Sequence, residues 1–318
     1  MSKDILVIAE HLDGSIADIS FEMVAKAKEL ASGTGGQVIA AVLGSGMGNA
    51  AGSFNSDTTV YVDDAVLGNF NPEAYAKVVE ALVAEKSPKI VMLGYTSMGM
   101  DIAAWLSAKT GKPCVSYVNN LSVDGDMVVA TSQLYGGKME AEVSVEGDLA
   151  IATMLAGSFP ADGGKGSTSV EQVASPVPLD DLKTKFIKLV KPEGGDVDIT
   201  AQDKLVSIGR GIGSEDGVEL AQELAEAMEA EVAASRPITD AGWLPKTRQV
   251  GKSGVSVKPK LYLMLGISGA PEHLEGMKDA ELIIAVNTDE NAPIFDIAHY
   301  GATEDLYEVA EAMVEMLE

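Results

Sequence analysis

KLVSIGRGIGSEDGVELAQELAEAM (204–228) is the stretch whose reading decides the fold. A short apolar run stops at Gly209-Arg210-Gly211-Ile212-Gly213, and a helical pattern begins near Asp216. That is one strand–turn–helix unit of a parallel sheet. Glycines let a backbone approach a phosphate closely, and a helix N-terminus adds free N–H groups and partial positive charge. Arg210 contributes a rigid fork of donors suited to a phosphate oxygen. A tight turn between strand and helix needs the same glycines, so this stretch by itself leaves both readings open. Four more apolar runs then break off into polar loops: EVAAS-RPITDAGW (231–243), LYLMLG-ISGAPEH (261–273), ELIIAV-NTDENAP (281–293) and FDIAHYG-ATEDL (295–306). Polar loops at the carboxyl ends of successive parallel strands are where an open α/β sheet binds ligands. Five of them, with no catalytic dyad, point to a large phosphate-bearing cofactor rather than a small substrate.

Working outward, the first half repeats the alternation. DILVIA (4–9), QVIAAVLG (37–44), TTVYVDD (58–64) and KIVMLG (89–94) read as strands. SFEMVAKAKELA (20–31), PEAYAKVVEALVAE (72–85) and GMDIAAWLSAKTG (99–111) read as helices, with Ser20 as an N-cap, Pro72 at a helix start and Gly111 at a helix end. Between 115 and 155 short β-like runs broken by Gly-Asp and Gly-Gly predict antiparallel hairpins. The Pro/Gly-dense stretch 156–203 reads as a connection. The expected organisation is two doubly wound parallel-sheet domains, 1–200 with appended hairpins and linker, and 201–318.

The bulk numbers exclude several classes. With 48 acids against 23 bases, a formal charge of −25 argues against nucleic acid or an anionic membrane as partner. A lone cysteine, Cys114, rules out an internal disulfide or a cysteine cluster within this chain and fits a reducing compartment. The longest apolar run falls short of the ~18 residues a spanning helix needs, and MSKDILVIAEH enters a strand at once, so membrane insertion and export are not expected and a cytoplasmic location is. The glycine spacing is GxGxG rather than GxGxxG, and Ser235-Arg236 stand where a dinucleotide dehydrogenase carries its acidic ribose ligand, so that class is disfavoured.

Several candidates have a plain structural reading beside a functional one. Arg236 is a surface ion pair or a ligand group; His273 is a structural histidine or a site residue. Asn287 and Asp289 close a loop or hold ribose hydroxyls, and Asp305 caps the final helix or accepts from an adenine or ribose.

IGRGIG, ASRPITDAGWLPKTRQVGKSG, LYLMLGISGAPEHLEGMKDAELIIAVNTDENAPIF and YGATEDLYEV resemble, in order and spacing across 204–310, the FAD domain of electron transfer flavoprotein α subunits. The N-terminal half is similar mainly in its DILVIAEH start. The resemblance implies a deoxyhypusine-synthase-like second domain and one non-covalent FAD per chain. It implies a β subunit that contacts the first domain and binds AMP or, in bifurcating forms, a second FAD. A donor dehydrogenase and an acceptor oxidoreductase complete the set. By the same resemblance, Arg210 would meet the phosphate region, and Ser235 with Arg236 would lie beside the ring. Gln249 would belong to the cofactor loop in which Val250, Gly251, Lys252 and Ser253 line the N5/O4 edge. Ser268, Gly269, Ala270, Pro271, Glu272 and His273 would reach the pyrophosphate and the N1/O2 side, while Asn287, Asp305 and Leu306 would hold ribose and adenine. Arg236, Ser253 and His273 would tune the potential, Arg236 and His273 by positive charge or donors. Lys252 and the pair Pro271-Glu272 depart from the family's common wording. Lys252 should favour the reduced flavin and Glu272 oppose it, and Pro271 removes one backbone donor. An NAD-binding enzyme on the same type of sheet is the alternative of a different class.

Overall fold

In the computed structural model, residues 2–135, 137–189 and 197–317 are described, and the chain divides into two compact units, Met1–Lys188 and Leu189–Glu318. KPEGGD (191–196), expected as part of the connection, lies outside the described residues.

The first unit is built on strands β1 (Ile5–Ile8), β2 (Val38–Gly44), β3 (Thr58–Asp63), β4 (Ile90–Gly94), β5 (Cys114–Asp124), β6 (Met127–Leu134), β7 (Met139–Val145), β8 (Ala150–Met154) and β9 (Val170–Val173). They form one sheet in the order β9-β3-β2-β1-β4-β8-β5-β6-β7. Its central strands are parallel and buried on both faces, which is why they read as unbroken apolar runs. Helix α1 (Asp18–Thr34) covers one face; α2 (Pro72–Lys86) and α3 (Ser97–Thr110) cover the other. Asn71 caps α2 by accepting from the Ala74 N–H at 3.1 Å, and Pro72 occupies its first position. Thr96 caps α3 by accepting from the Gly99 N–H at 3.0 Å, and Gly111 ends it at φ 64°.

Three expectations change here. Helix α1 begins two residues earlier than the pattern implied, so Ser20 is inside it; its hydroxyl instead accepts from the Glu10 N–H at 2.8 Å. Strands β5–β7 are the expected antiparallel hairpins, but β8 is not one of them. It inserts parallel between β4 and β5, and all five of its residues are buried. Much of 156–173 belongs to the unit rather than to a connection. Strand β9 extends the sheet beside β3, and Gly164 packs so closely on α1 that a Cβ there would stand 1.8 Å from the Phe21 carbonyl oxygen.

The second unit has strands β10 (Lys204–Ile208), β11 (Glu231–Ala234), β12 (Leu261–Leu265), β13 (Leu282–Val286) and β14 (Tyr300–Ala302), in the order β11-β10-β12-β13-β14 and all parallel. The fifth strand is shorter than FDIAHYG implied, because Pro293–Asp296 is a 3-10 turn. Helices α4 (Asp216–Ala227) and α7 (Leu306–Leu317) pack on one face, while the short α5 (Arg236–Asp240) and α6 (Pro271–Leu274) stand at the carboxyl edge. The chain runs from β10 outward to β11 and then returns to β12 on the other side. The topological switch point therefore lies between β10 and β12.

Candidate functional site

Two glycine turns meet at that switch point. The Gly211 N–H donates to the Gly266 carbonyl at 3.0 Å, and Gly266 is left-handed at φ 65°. A Cβ on Gly209 would lie 2.4 Å from the Gly266 oxygen, and one on Gly211 2.7 Å from the Gly266 Cα. Only glycine permits this approach of two backbones. Behind the turns, Leu306 is buried, and a Cβ on Gly266 would come within 3.0 Å of its Cδ2. The Tyr307 hydroxyl donates to the Ile212 carbonyl and pins the first turn to α7.

The turn after β12 ends in a row of unused donors. Among the described residues, the backbone N–H groups of Ser268, Gly269 and Ala270 have no intramolecular acceptor. Gly269 sits at φ 87°, where a Cβ would meet the Ile294 nitrogen at 2.3 Å. Consecutive N–H groups around a left-handed residue form an anion-binding concavity. Ser268 and Arg210 are exposed beside the same carboxyl edge. Pro271 opens α6 at a position whose N–H has no intrahelical partner in any sequence, so it costs the helix nothing.

The loop 249–255 is a second built element. It closes on itself: the Val255 N–H donates to the Gln249 carbonyl at 2.8 Å, Gly251 N–H to Val255 at 3.1 Å and Gly254 N–H to Gly251 at 2.9 Å. Gly251 is required at φ 130°, where a Cβ would press on the Glu272 carbonyl at 2.6 Å. That carbonyl accepts from the Lys252 N–H at 2.7 Å, so Glu272 serves the loop through its backbone while its side chain is exposed. Lys252 and Ser253 are exposed on the loop, and Lys252 Nζ stands 4.0 Å from the Glu275 carboxylate. Burial raises the pKa of Glu275.

Gln249 does not face outward. It is buried, accepts from the Thr239 hydroxyl at 2.6 Å and donates to Ser253 Oγ at 3.0 Å. Expected as a cofactor contact, it instead holds Ser253 as an acceptor and leaves the serine hydrogen to donate elsewhere.

His273 also points inward. Its Nδ1 lies 3.1 Å from the Val250 carbonyl and its Nε2 3.2 Å from the Tyr262 hydroxyl. Burial is the main cause that lowers its pKa to about 4, against the smaller raising effect of the Val250 carbonyl. The expectation of a positive charge or outward donor at His273 is corrected: near pH 7 the ring is neutral, and both of its nitrogens are engaged within the protein.

The remaining candidates divide the same way. Ser235 is buried and its N–H continues the sheet to Ile208 at 2.9 Å; Arg236 is exposed, with Nε 3.1 Å from Asp240. Asn287 donates through Nδ2 to the Ile267 carbonyl at 2.9 Å and accepts from the Asp289 N–H at 2.9 Å, bracing the donor turn rather than standing free. Asp305 accepts from the Tyr307 N–H at 2.8 Å, which is the helix-cap reading. Sequence reasoning passed over Thr239, Ser207 and Tyr262. The available signal was one polar side chain inside each of two apolar strands, Ser207 in KLVSI and Tyr262 in LYLML.

The first unit has a switch point too, between β1 and β4, and it is filled. The Glu10 carboxylate, itself buried, accepts from the Thr96 hydroxyl at 2.8 and 2.9 Å at the start of α3. A Cβ on Gly94 would lie 2.5 Å from Glu10 Oε1, so the glycine makes room for the acid. Desolvation raises the Glu10 pKa above the usual carboxylate value, with Thr96 opposing.

Among the described residues no helix is long and apolar enough to cross a membrane. The donor set of the second unit suits a phosphate-bearing cofactor, and comparison with known proteins agrees. A family model described as the electron transfer flavoprotein domain matches residues 5–178, and one described as the electron transfer flavoprotein FAD-binding domain matches 198–278. The electron transfer flavoprotein subunit alpha of Methylophilus methylotrophus is 39% identical, over 98% of this chain and 98% of that one. The acryloyl-CoA reductase electron transfer subunit beta of Anaerotignum propionicum is 34% identical, over 99% and 95%. The lactate dehydrogenase (NAD(+),ferredoxin) subunit LctC of Acetobacterium woodii is 32% identical, over 99% of this chain and 77% of that protein. With both units matched in chain order and a donor-rich crevice in the second, this chain belongs to the electron transfer flavoprotein α-subunit family, flavin-carrying electron carriers that normally pair with a β subunit.

Proposed function

We propose that each copy of this chain holds one non-covalent FAD in its second unit. Its electrons come from a partner dehydrogenase and go to another redox protein. The observation that carries this reading is the row of unused N–H groups at Ser268, Gly269 and Ala270 at the switch point. These groups and Arg210 would hold the phosphates, and the exposed Ser268 hydroxyl adds a donor. The loop 250–253 and the Ser235-Arg236 corner would flank the ring, with Ser253 donating and Ala270 to Glu272 completing the wall. Asn287 would act through the Ile267 carbonyl it holds, and Asp305 and Leu306 would close the adenine end. FAD supplies the one- and two-electron chemistry. Arg236 and Lys252 reduce the electrostatic cost of negative charge beside them, and Glu272 opposes them. The β subunit would bind AMP and contact the first unit, in a cytoplasmic complex.

A second reading, with a second FAD in the β subunit, is favoured by the likeness to the lactate dehydrogenase (NAD(+),ferredoxin) subunit. Both are tested by purifying the native complex with its copurifying subunit and counting flavin and adenine nucleotide per chain. One FAD with AMP is the expected result, and two FAD would favour the second reading. A folded complex that contains no flavin and takes up none would overturn both.

A further inference from the structure

Between helix α5 and the loop 249–255, three side chains form a line that ends at the exposed Ser253. Thr239 Oγ1 lies 3.0 Å from the Arg236 carbonyl and 2.6 Å from the Gln249 amide oxygen, and the amide nitrogen lies 3.0 Å from Ser253 Oγ. Thr239 and Gln249 are buried. Among the described residues Ser253 Oγ has no other polar partner. The Gln249 backbone is fixed on both sides: its N–H donates to the Lys246 carbonyl at 3.1 Å, and its carbonyl accepts from the Val255 N–H at 2.8 Å. The terminal amide is left free to turn, about a torsion that is broad and roughly two-fold.

Thr239 has a single hydrogen and two acceptors in reach, so it serves one of them at a time. Two placements of the hydrogens fit the same heavy atoms. In the first, Thr239 donates to the amide oxygen, the amide nitrogen donates to Ser253, and the Ser253 hydrogen points out of the loop. In the second, the amide is turned by half a revolution. Its nitrogen donates to Thr239, whose hydrogen goes to the Arg236 carbonyl, and its oxygen accepts the Ser253 hydrogen. Ser253 then presents lone pairs outward, and no proton has left its parent group.

The two placements match the two forms of a flavin. An oxidised ring has a bare N5, which accepts a hydrogen bond. Reduction by an electron pair from the partner dehydrogenase and one proton from water puts a hydrogen on N5, which then donates. In the first placement Ser253 would now face two donors, and its own hydrogen would have no acceptor among the described residues. Turning the amide supplies that acceptor and gives the Thr239 hydrogen the Arg236 carbonyl, so every member stays paired.

We propose that Gln249 is a positioning residue that reverses the polarity of Ser253 with the redox state of the flavin, donating to it when FAD is oxidised and accepting from it when FAD is reduced. This rests on the reading of loop 250–253 as the N5 edge of the ring site. Gln249 touches no cofactor and acts through Ser253.

The test uses the full chain with its copurifying subunit, labelled with 15N-glutamine and compared by NMR in the oxidised and two-electron-reduced forms. Gln249→Met assigns the Gln249 side-chain amide by its absence; if that variant does not fold, Thr239→Ser assigns it by removing the neighbouring methyl. The amide hydrogens are expected to show their stronger contact to the Ser253 β-hydrogens in the oxidised form and to the Thr239 methyl in the reduced form. The same neighbour in both forms, or the reverse order, would overturn the switch. Gln249→Met should weaken oxidised and reduced FAD alike, about fivefold, within the range of one hydrogen bond, and so leave the two-electron midpoint near its wild-type value. A loss of about tenfold confined to the oxidised form, equivalent to about 30 mV in that midpoint, would mean that Gln249 donates in both forms and would also overturn it. A wild-type complex that binds no FAD overturns the flavin reading instead, so the two failures are distinct.

Discussion

Both units wind parallel strands in two directions from the first strand, and both create a crevice where the winding reverses, yet the crevices are chemically opposite. In the first, the Glu10 carboxylate occupies the space at the start of α3, held by Thr96 and accommodated by Gly94. In the second, the turns after β10 and β12 meet glycine to glycine and, among the described residues, leave the N–H groups of 268–270 without acceptors. A carboxylate at a helix N-terminus takes the place, beside the positive end of the dipole, that a phosphate would. It also repels any incoming anion. Topology supplies a ligand-ready edge twice; the residue that fills the crevice decides which edge can take the cofactor.

The sharpest way to break this contrast is Gly211→Ala. Its Cβ would meet the Gly266 backbone at 2.7 Å, with no flexible side chain to yield. The second unit should lose about 3 kcal/mol, read in the full chain as faster hydrogen exchange in β10 and β12 with β1 and β4 unchanged. Equal loss in both units, or none, would contradict the tight glycine contact.

Next in size is the response to acid, which should differ in sign. His273 titrates at about 4 in the folded state against an ordinary 6.5, so the unfolded chain binds the extra proton between those values. Stability of the second unit should therefore be full above pH ~6.5 and fall by about 3 kcal/mol as pH drops through that window. Glu10 is raised, so the folded first unit keeps a proton that the unfolded chain has lost, and its contribution improves as pH falls toward the ordinary 4.5. Exchange rates followed unit by unit should show opposite slopes from these two groups, and Glu10→Gln should flatten only the first. A single common slope would remove the distinction.

The smallest effect is Arg210→Ala, expected to weaken FAD binding roughly tenfold, the scale of one charge-assisted hydrogen bond, with exchange protection unchanged. Glu10→Gln should leave flavin content as it was. Loss of flavin in Glu10→Gln would place the cofactor's anion site in the wrong unit.

Much of the fold was legible because its signals are local. Continuous apolar runs, Pro72, Gly111 and the glycine turns read correctly, since parallel buried strands and helix ends impose their own composition. Strand β8 did not, because AIATM follows two hairpins in sequence and only its place between β4 and β5 makes it parallel. Ser20 misled for a similar reason: a residue able to cap a helix was used instead by Glu10, ten positions away. At the site, sequence marked the loops but not which way their side chains turn. Gln249 and His273 carry chemistry suited to a cofactor, and both are spent inside the protein.

The sequence by itself determined the parallel strands, the glycine turns and the acidic charge, since these follow from composition and short-range spacing. Tertiary structure alone decided that the Glu10 carboxylate fills one crevice, that His273 is neutral, and that Tyr262 stands beneath the loop. Each of those depends on burial and on partners distant in the chain, because desolvation and hydrogen bonding are set by what surrounds a group rather than by its neighbours in sequence.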